Sequence, residues 1–307
     1  MIPVTLITGF LGSGKTTLVS WIYKQFTDRR IVYLINEFSQ VDIDGQRLDI
    51  PENQLVSIPG GSIFCRCLVS DFIRVLREIE SSADKQNQPP EQVVIEASGI
   101  SDPNIIQQLL QETKLDNTYV LQRIICIIDP GTFYKLIHIL PNIIRQVEAS
   151  NTIIINKTDM YDAETIQNAE EEIRKINPQA ALIKTTYCQG LIDLFSEAET
   201  GELSGEYALC RDPNYASVAL QHQSPLDWPK LKQDIENLPG AVYRVKGYVT
   251  TQDHTIDIDY AADIWTEKIT ENTPQPNQTK LVVIVEGRCE MSLNLILSKL
   301  NQNSYDS

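Results

Sequence analysis

The sequence is poor in basic residues, in histidine and in long apolar runs. Lys and Arg number 26 against 41 Asp and Glu, which gives a formal net charge of -15. Such a negative field repels the phosphates of DNA, RNA and anionic lipids, so we expect neither nucleic acid nor a membrane surface as a partner. The three histidines are scattered at His138, His222 and His254, which excludes a histidine-rich metal store.

Targeting and membrane signals are lacking as well. No apolar run reaches the roughly 20 residues that span a bilayer, and no basic stretch leads into an apolar run with a small-residue cleavage site. We therefore expect a cytoplasmic protein, or one in an equivalent reducing space. Six cysteines spread over 307 residues do not resemble a disulfide framework, and a reducing compartment would keep them as thiols.

Apolar, β-rich runs alternate with amphipathic stretches along the first two thirds of the chain. Runs that are apolar on both faces are typical of parallel strands covered by helices. The predicted strands are 4–8, 31–35, 55–58, 93–97, 123–128 and 152–155, and the predicted helices are 15–26, 71–81, 141–150 and 164–176. This alternation predicts a doubly wound α/β domain with a parallel sheet at residues 1–200.

The remainder of the chain is predicted to form a smaller α+β domain. Residues 201–238 are expected to form a linker or surface excursion, because glycine and proline recur at Gly201, Gly205, Pro213 and Pro225. The C-terminal domain is placed at 239–307. Its readable pieces are a helix around 227–238 leading into it, strands at 242–250 and 281–286, a loop at 271–278 and a final helix at 291–300.

The first motif follows an apolar strand and opens a helix. Gly9-Phe10-Leu11-Gly12-Ser13-Gly14-Lys15-Thr16 has the spacing of a phosphate-binding loop. Glycines let backbone N–H groups turn inward around the β-phosphate, and the helix N-terminus adds positive potential. We predict that Lys15 reaches the β- and γ-phosphates as a catalytic group and that Thr16 ligates Mg2+. A plain glycine-rich turn would explain the glycines but not the Lys-Thr pair in register. The predicted nucleotide contacts in this loop are Gly9, Gly12, Ser13, Gly14, Lys15, Thr16 and Thr17.

A second motif, Asn156-Lys157-Thr158-Asp159, follows another apolar strand. Ligands bind at the carboxyl ends of such strands. There the Asp159 carboxylate can accept from guanine N1–H and N2–H2, whereas adenine offers no such pair of donors, so GTP is favoured over ATP. Asn156 and Lys157 are predicted to contact the nucleotide too. Read alone, the tetrapeptide could be an ordinary polar turn. Farther on, Thr185-Thr186-Tyr187-Cys188-Gln189-Gly190 occupies the place of the loop that cups the base in GTPases.

Glu96-Ala97-Ser98-Gly99 ends a third apolar strand. A carboxylate at that point can hold an Mg2+-bound water, and a glycine N–H can meet the γ-phosphate. We therefore predict Glu96 as a catalytic group and magnesium ligand, and Gly99 as a nucleotide contact. The alternative is that Glu96 is only a strand-end carboxylate. Asp102 and Pro103 are interpreted as the N-cap and first residue of a helix, with a structural role.

The segment from Asn36 to Gly45 carries several carboxylates on a loop close to the phosphates, as expected of a nucleotide-sensing switch. Glu37 and Asp42 are predicted as catalytic candidates there. Glu37, Asp42 or Asp44 can orient the attacking water, and all three remain open.

The order of these motifs resembles the CobW family of P-loop GTPases, relatives of the nickel-handling accessory GTPases of urease and hydrogenase. The resemblance covers almost the whole chain. It is carried by Gly9–Thr17, Asn36-Glu37-Phe38, Glu96-Ala97-Ser98-Gly99 with Pro103, Asn156-Lys157-Thr158-Asp159 and, in the smaller domain, Tyr243-Arg244-Val245-Lys246-Gly247-Tyr248. It implies a cytoplasmic, slowly hydrolysing Mg2+-GTP switch that delivers Zn2+ or Co2+ to a client protein, itself a metalloenzyme. It also implies a GTP-dependent homodimer.

The family's hallmark, a Cys-x-Cys-Cys motif, is altered in this chain. The matching place reads Gly60-Gly61-Ser62-Ile63-Phe64-Cys65-Arg66-Cys67, in which Cys65 matches the last family cysteine and Cys67 lies outside the pattern. Ser39 and Gln40 stand where family members commonly have Gly and Glu. A divalent site can still be built from Cys65 and Cys67 with Glu37 or Asp42, because zinc accepts sulfur and oxygen ligands. The two cysteines can equally be small buried hydrophobes.

Three hypotheses follow for the function. In the first, GTP and Mg2+ order the 37–45 loop and the cysteine loop, so that the protein binds metal or client, and hydrolysis releases that order. The second is a GTP-dependent assembly or maturation factor without metal cargo, whose client binds the C-terminal domain. The third is a small-molecule kinase, since kinases share the phosphate-binding loop, but guanine selectivity from Asp159 counts against it.

Overall fold

The computed structural model describes residues 1–36, 48–86, 88–189, 194–196, 198, 200–208, 215–261, 263–270 and 278–302. These residues fall into two compact units, the first extending to Ala208 and the second beginning at Tyr215. The strands of the first unit are β1 (Ile2–Thr8), β2 (Ile31–Asn36), β3 (Leu55–Ile58), β4 (Gln92–Glu96), β5 (Tyr119–Ile128), β6 (Thr152–Ile155) and β7 (Ala181–Lys184). Its helices are α1 (Lys15–Gln25), α2 (Val69–Gln86), α3 (Ile106–Glu112), α4 (Pro130–Leu136), α5 (Pro141–Glu148) and α6 (Ala163–Ile176).

The first unit is built on a seven-stranded sheet in the order β3-β2-β4-β1-β5-β6-β7. All its strand pairs are parallel. The chain passes from β1 outward to β2 and β3, returns through β4, and then continues to β5 on the other side of β1. The carboxyl ends of β1, β4 and β5 therefore lie side by side at a topological switch point, where ligands bind in such sheets. The predicted doubly wound α/β fold is confirmed.

Both faces of this sheet are buried. Val4 and Leu6 of β1 belong to one apolar cluster, whereas Ile7 packs in a second cluster with Leu18 and Ile22 of α1. Successive side chains of a strand point to opposite faces. A strand covered on both sides must therefore be apolar throughout, which explains why continuous apolar runs located six of the seven strands. The edge strand β7 has half-exposed and exposed residues and was not predicted.

Aspartates fix the start of several helices. Asp102 and Asp129 each precede a proline and accept a backbone N–H, from Asn104 and Thr132 respectively. Asp162 accepts from Thr165 N at 2.8 Å at the start of α6. Each carboxylate satisfies one of the N–H groups that a helix leaves unpaired at its N-terminus. The structural roles predicted for Asp102 and Pro103 correspond to this arrangement.

The second unit is an antiparallel sheet with helices. Its strands are β8 (Tyr215–His222), β9 (Val242–Thr250), β10 (Thr255–Ala261), β11 (Ile264–Thr270) and β12 (Thr279–Glu286), and its helices are α7 (Trp228–Glu236) and α8 (Glu290–Gln302). The sheet order is β11-β10-β9-β12-β8. In central strand β9, Gly247 has a φ of 144°, and a Cβ there would lie 1.9 Å from Lys280 O of β12. Gly247 is therefore required because the backbones of β9 and β12 approach too closely at this point to leave room for a side chain.

Two parts of the second unit differ from the expectation of a linker over 201–238. That range contains β8 and α7, whose Leu220, Trp228 and Leu231 are buried in the core of the second unit. The helix α7 was predicted around 227–238 but assigned to the linker range, whereas the turn-forming residues on either side of β8 hid its short apolar run. Strand β11 was not predicted either, because most of its side chains are exposed and it lies at a sheet edge.

None of the helices in the described part of the chain is long and apolar enough to cross a membrane.

Candidate nucleotide site and cysteine loop

The phosphate-binding loop connects β1 to α1 and depends on glycine at two points. Gly9 has a φ of 133° and Gly14 a φ of 115°, values that side-chain-bearing residues rarely adopt. A Cβ at Gly9 would lie 2.3 Å from Ile127 O, and one at Gly14 would lie 2.4 Å from Asn156 Nδ2. The loop therefore packs closely against the end of β5 and the residue that follows β6, and its last glycine, Gly14, is the N-cap of α1.

Two polar side chains of this loop suit a bound phosphate. Lys15 is buried and its Nζ donates to Gly9 O at 2.9 Å and Phe10 O at 3.3 Å. Ser13 Oγ is buried and has no hydrogen-bond partner among the described residues. A cation and a hydroxyl within a loop of inward-turned backbone offer donors of the kind that anionic oxygens require. Thr17, by contrast, is exposed on α1.

The predicted magnesium residues meet where the first turn of α1 contacts the end of β4. Thr16 Oγ1 donates to Glu96 Oε1 at 3.0 Å, and Glu96 is buried at the end of β4. Gly99 lies against the phosphate-binding loop, since a Cβ there would be 2.7 Å from Leu11 N. A hydroxyl and a carboxylate side by side are hard oxygen ligands, which fits Mg2+.

The second motif is attached directly to the phosphate-binding loop. Asn156 Nδ2 donates to Ser13 O at 2.9 Å, and its Oδ1 accepts from Cys188 N at 2.9 Å. Asn156 thereby ties β6 to the phosphate-binding loop and to the loop after β7. Asp159 follows on an exposed turn, free of the sheet, where its carboxylate can meet the edge of a base.

Lys157 is held by a carboxylate that the sequence analysis did not identify. Lys157 Nζ lies 2.8 Å from Asp129 Oδ2, and Tyr161 OH donates to Asp129 Oδ1 at 2.7 Å. Asp129 is buried directly after β5. Lys157 has a φ of 57°, so its backbone is also in the left-handed region. The available signal in the sequence was an aspartate between an apolar strand and a proline. Asp102 also precedes a proline and caps a helix, so the sequence alone does not show that Asp129 pairs with Lys157 in addition to capping.

The loop after β7 lies beside the second motif. Thr158 N and Oγ1 both donate to Thr185 O, at 3.2 and 3.1 Å. Cys188 Sγ lies 3.4 Å from Gly14 O, and burial raises the pKa of this thiol to about 12. The thiol therefore stays protonated and serves as packing between the loops. Tyr187 beside it is exposed with a φ of 53°.

The cysteine loop begins after β3 and lies within the same unit. Cys65 is buried as a free thiol, while Cys67 is exposed, and their sulfur atoms are 3.1 Å apart. A distant segment joins the loop, since Ala208 N donates to Phe64 O at 3.0 Å and Arg66 N donates to Ala208 O at 3.1 Å.

One expectation about the cysteines is wrong. Cys67 takes part in a disulfide, although all six cysteines were expected to remain thiols. Cysteine composition alone could not reveal this disulfide. Cys126 and Cys289 are buried free thiols.

The remaining metal candidates lie outside the described residues. These are Glu37 and Asp42, whose predicted roles in catalysis and metal binding stay predictions. Asp44, predicted only as a residue that can orient the attacking water, also lies outside the described residues. Among the residues that are described, no group of three or more His, Cys, Asp or Glu side chains is placed to hold a metal ion.

Comparison with known proteins identifies the family. The nucleotide-binding domain of CobW/HypB/UreG matches residues 3–184, and the C-terminal domain of the cobalamin synthesis protein cobW matches residues 215–301. The chain belongs to the CobW/HypB/UreG family. The predicted CobW-type P-loop GTPase is confirmed, and the first match covers the phosphate-binding loop, Glu96 and the Asn156–Asp159 motif.

Curated relatives of this CobW/HypB/UreG protein carry zinc-related names. The zinc chaperone YjiA of Escherichia coli is 28% identical over 249 residues, which cover 77% of each chain. The zinc chaperone CobW of Pseudomonas aeruginosa is 27% identical over 213 residues, covering 59% of this chain and 56% of that protein. Zinc-regulated GTPase metalloprotein activator 1 of Schizosaccharomyces pombe is 29% identical over 207 residues, covering 64% of this chain and 48% of that protein. The alignments thus span about half the length of the last two relatives.

Among solved structures, the Zn(II)-bound YjiA GTPase from E. coli aligns with a TM-score of 0.48 and 21% identity, covering 96% of this chain and 98% of that one.

Proposed function

We propose that this CobW-family protein is a magnesium-dependent GTPase of slow turnover whose nucleotide state controls the binding of zinc, or of cobalt, and its delivery to a client protein. Its location is proposed to be cytoplasmic and its client a metalloenzyme. The observation that carries the proposal is that residues 96–98 bond both to the nucleotide site and to the asparagine that binds the chain leading into the cysteine loop. Glu96 accepts a hydrogen bond from Thr16. Two residues later, Ser98 N donates to Asn36 Oδ1, and the Asn36 amide also bonds to Gly61 and Ile63, just before the cysteines.

Each side chain of the site has a distinct task in this proposal. The backbone amides of the phosphate-binding loop and Lys15 bind the phosphates and stabilise the charge that develops during phosphoryl transfer. Asp159 accepts from the guanine edge, and Asn156 holds the loops in register. Mg2+, bound through Thr16 and Glu96, would neutralise phosphate charge. Glu37, Asp42 and Asp44 remain the candidates that orient the attacking water.

The cysteine loop supplies the soft ligands of the proposed cargo site. Cys65 and Cys67 sulfurs at 3.1 Å are close enough to share one zinc ion after reduction, since each Zn–S bond is about 2.3 Å long. Glu37 or Asp42 would supply an oxygen ligand to the same ion. The names of the zinc chaperone relatives support zinc as the first metal to test.

The test is zinc affinity by chelator competition on reduced protein, loaded in parallel with Mg-GDP and with a non-hydrolysable Mg-GTP analogue. Cys65→Ser and Cys67→Ser report the ligands, and Cys289→Ser, a buried free thiol in the second unit, is the matched control. Tight binding that depends on the two loop cysteines and changes with nucleotide supports metal delivery. Weak binding that is indifferent to both would leave a GTP-dependent assembly factor whose cargo is a protein.

A further inference from the structure

A buried asparagine at the end of β2 connects three backbone segments. Asn36 Nδ2 donates to Ile58 O at 3.1 Å and to Gly61 O at 2.7 Å. Its Oδ1 accepts from Ile63 N at 3.0 Å and from Ser98 N at 3.2 Å. Two N–H donors and two oxygen lone pairs are all that an amide offers. Every one is used, and three of the four bonds go to the chain leading into the cysteine loop.

A series of hydrogen-bonded serine hydroxyls makes a second connection between the same backbone segments. Ser98 Oγ lies 3.1 Å from Ser101 Oγ, and Ser101 Oγ donates to Ser62 Oγ at 2.7 Å. Ser62 Oγ in turn accepts from Phe64 N at 3.1 Å. The three serines are buried, so their hydroxyls have the protein rather than bulk water as partners. This series of hydrogen bonds ends at Phe64, one residue before Cys65.

The other end of both links is the nucleotide site. Ser98 is two residues from Glu96, which contacts Thr16, and one residue from Gly99, which is in close contact with Leu11 of the phosphate-binding loop. Hydrogen bonds of this kind weaken steeply outside a narrow range of distance and angle, and packed interiors transmit displacement rather than absorb it. A shift of residues 96–99 with the γ-phosphate must therefore move the cysteine loop or break these bonds.

We propose that Asn36, with Ser62 and Ser101, positions the cysteine loop according to the nucleotide bound at Glu96–Gly99. Asn36 is a positioning residue: it acts through the backbone of residues 58–63 and touches neither nucleotide nor metal. The inference rests on the proposed function, because it names the connection by which nucleotide state reaches the metal ligands. It extends that function by assigning the connection to buried residues outside the phosphate-binding and guanine motifs.

The first readout is amide hydrogen exchange of residues 60–68 in Mg-GDP and Mg-GTP-analogue forms, without zinc. We expect protection of this segment to differ between the two forms by at least about fivefold in the wild-type protein, the lower limit of typical coupling between sites. The difference should fall below about twofold in Ser62→Ala/Ser101→Ala and in Asn36→Ser. If Asn36→Ser fails to fold, the double serine variant alone tests whether the connection is needed.

Asn177→Ser is the matched control. Its amide likewise binds several backbone segments, donating to Val147 O and Ser150 O and accepting from Ala180 N, but it lies away from the nucleotide site. We expect it to keep the full nucleotide-dependent difference. An equal difference in wild type, control and all variants would overturn the inference, as would exchange that is insensitive to nucleotide in the wild-type protein.

Zinc affinity in the two nucleotide forms is the second readout. A nucleotide-dependent exchange difference that is lost in the variants, with no zinc binding at all, would sustain the coupling and refute metal delivery. Zinc affinity that changes equally with nucleotide in wild type and variants would sustain metal delivery and refute the role of Asn36.

Discussion

The nucleotide site and the cysteine loop lie in the same unit but are held in place in different ways. The nucleotide site is assembled from the loops after β1, β4, β6 and β7, which bond to each other through side chains such as Asn156 and Thr158. The cysteine loop is held by the Asn36 amide, a serine chain and a short bridge to Ala208. The loops of the first site bond to one another through several side chains, whereas two of the contacts that hold the second, the Asn36 amide and the serine hydroxyls, lead back to the segment after β4. A site held in this second way can respond to a ligand bound elsewhere.

Removing the phosphate-binding cation should have the largest effect on the nucleotide side of this comparison. We expect Lys15→Ala to lower single-turnover GTP hydrolysis by about 10²–10³-fold, because a buried donor aimed at developing charge is lost. Lys24→Ala, an exposed lysine on the same helix, is the control and should leave the rate unchanged. Hydrolysis that survives in Lys15→Ala would mean that this loop does not carry the reaction.

Base recognition is the next largest effect. Asp159→Asn should reduce the preference for GTP over ATP by about 100-fold, since the donors of guanine lose their acceptor. Competition binding with both nucleotides measures the ratio. Asp162→Asn makes the same chemical change at the nearby helix cap and keeps the Oδ1 that accepts from Thr165 N, so it should leave the ratio intact. An unaltered ratio in Asp159→Asn would refute the assignment.

The close packing of the phosphate-binding loop predicts a stability effect. Gly14→Ala should lower the free energy of unfolding by about 1–3 kcal/mol, because φ is 115° and the new Cβ would meet Asn156 Nδ2. Gly201→Ala, at a position where a Cβ would meet nothing within 4 Å, should be close to neutral. Chemical denaturation of the two variants compares them, and equal stabilities would contradict the packing described here.

The smallest of the four effects concerns Asp129. Asp129→Asn should weaken GDP binding by about tenfold, because Lys157 loses the carboxylate that fixes its side chain. Asp102→Asn is a close structural match, since Asp102 also caps a helix after a strand and pairs with a cation, Arg145 at 2.7 Å. Titration calorimetry should show weaker GDP binding only for Asp129→Asn. Equal losses in both variants would make Asp129 a structural cap.

The same contrast explains what could be predicted from the sequence. The fold was predictable because parallel strands buried on both faces are continuously apolar. The nucleotide-binding motifs were recognisable because the residues of each motif are consecutive. Gly9–Thr16 and Asn156–Asp159 are contiguous segments, so the order of their residues is enough to predict the local loop structure.

The contacts that hold the cysteine loop could not be predicted in this way. Asn36 reaches Ser98 across 62 residues and Ser101 reaches Ser62 across 39, and a single asparagine or serine has no spacing that reveals such a partner. The disulfide of Cys67 and the bridge to Ala208 were missed for the same reason. Short elements with exposed faces, such as β7 and β11, lack the apolar periodicity on which the strand predictions depended.

The central claim is that nucleotide and metal are coupled through one unit, and thermodynamic reciprocity gives its most direct test. If the GTP analogue changes zinc affinity by some factor, zinc must change affinity for the GTP analogue by the same factor. The measurement is the ratio of the affinities of reduced protein for a Mg-GTP analogue and for Mg-GDP, with and without saturating zinc. We predict that zinc changes this ratio by at least about fivefold, by the same factor as in the zinc titration of the two nucleotide forms, and that the change is absent in Cys65→Ser. A ratio that is the same with and without zinc would contradict the coupling.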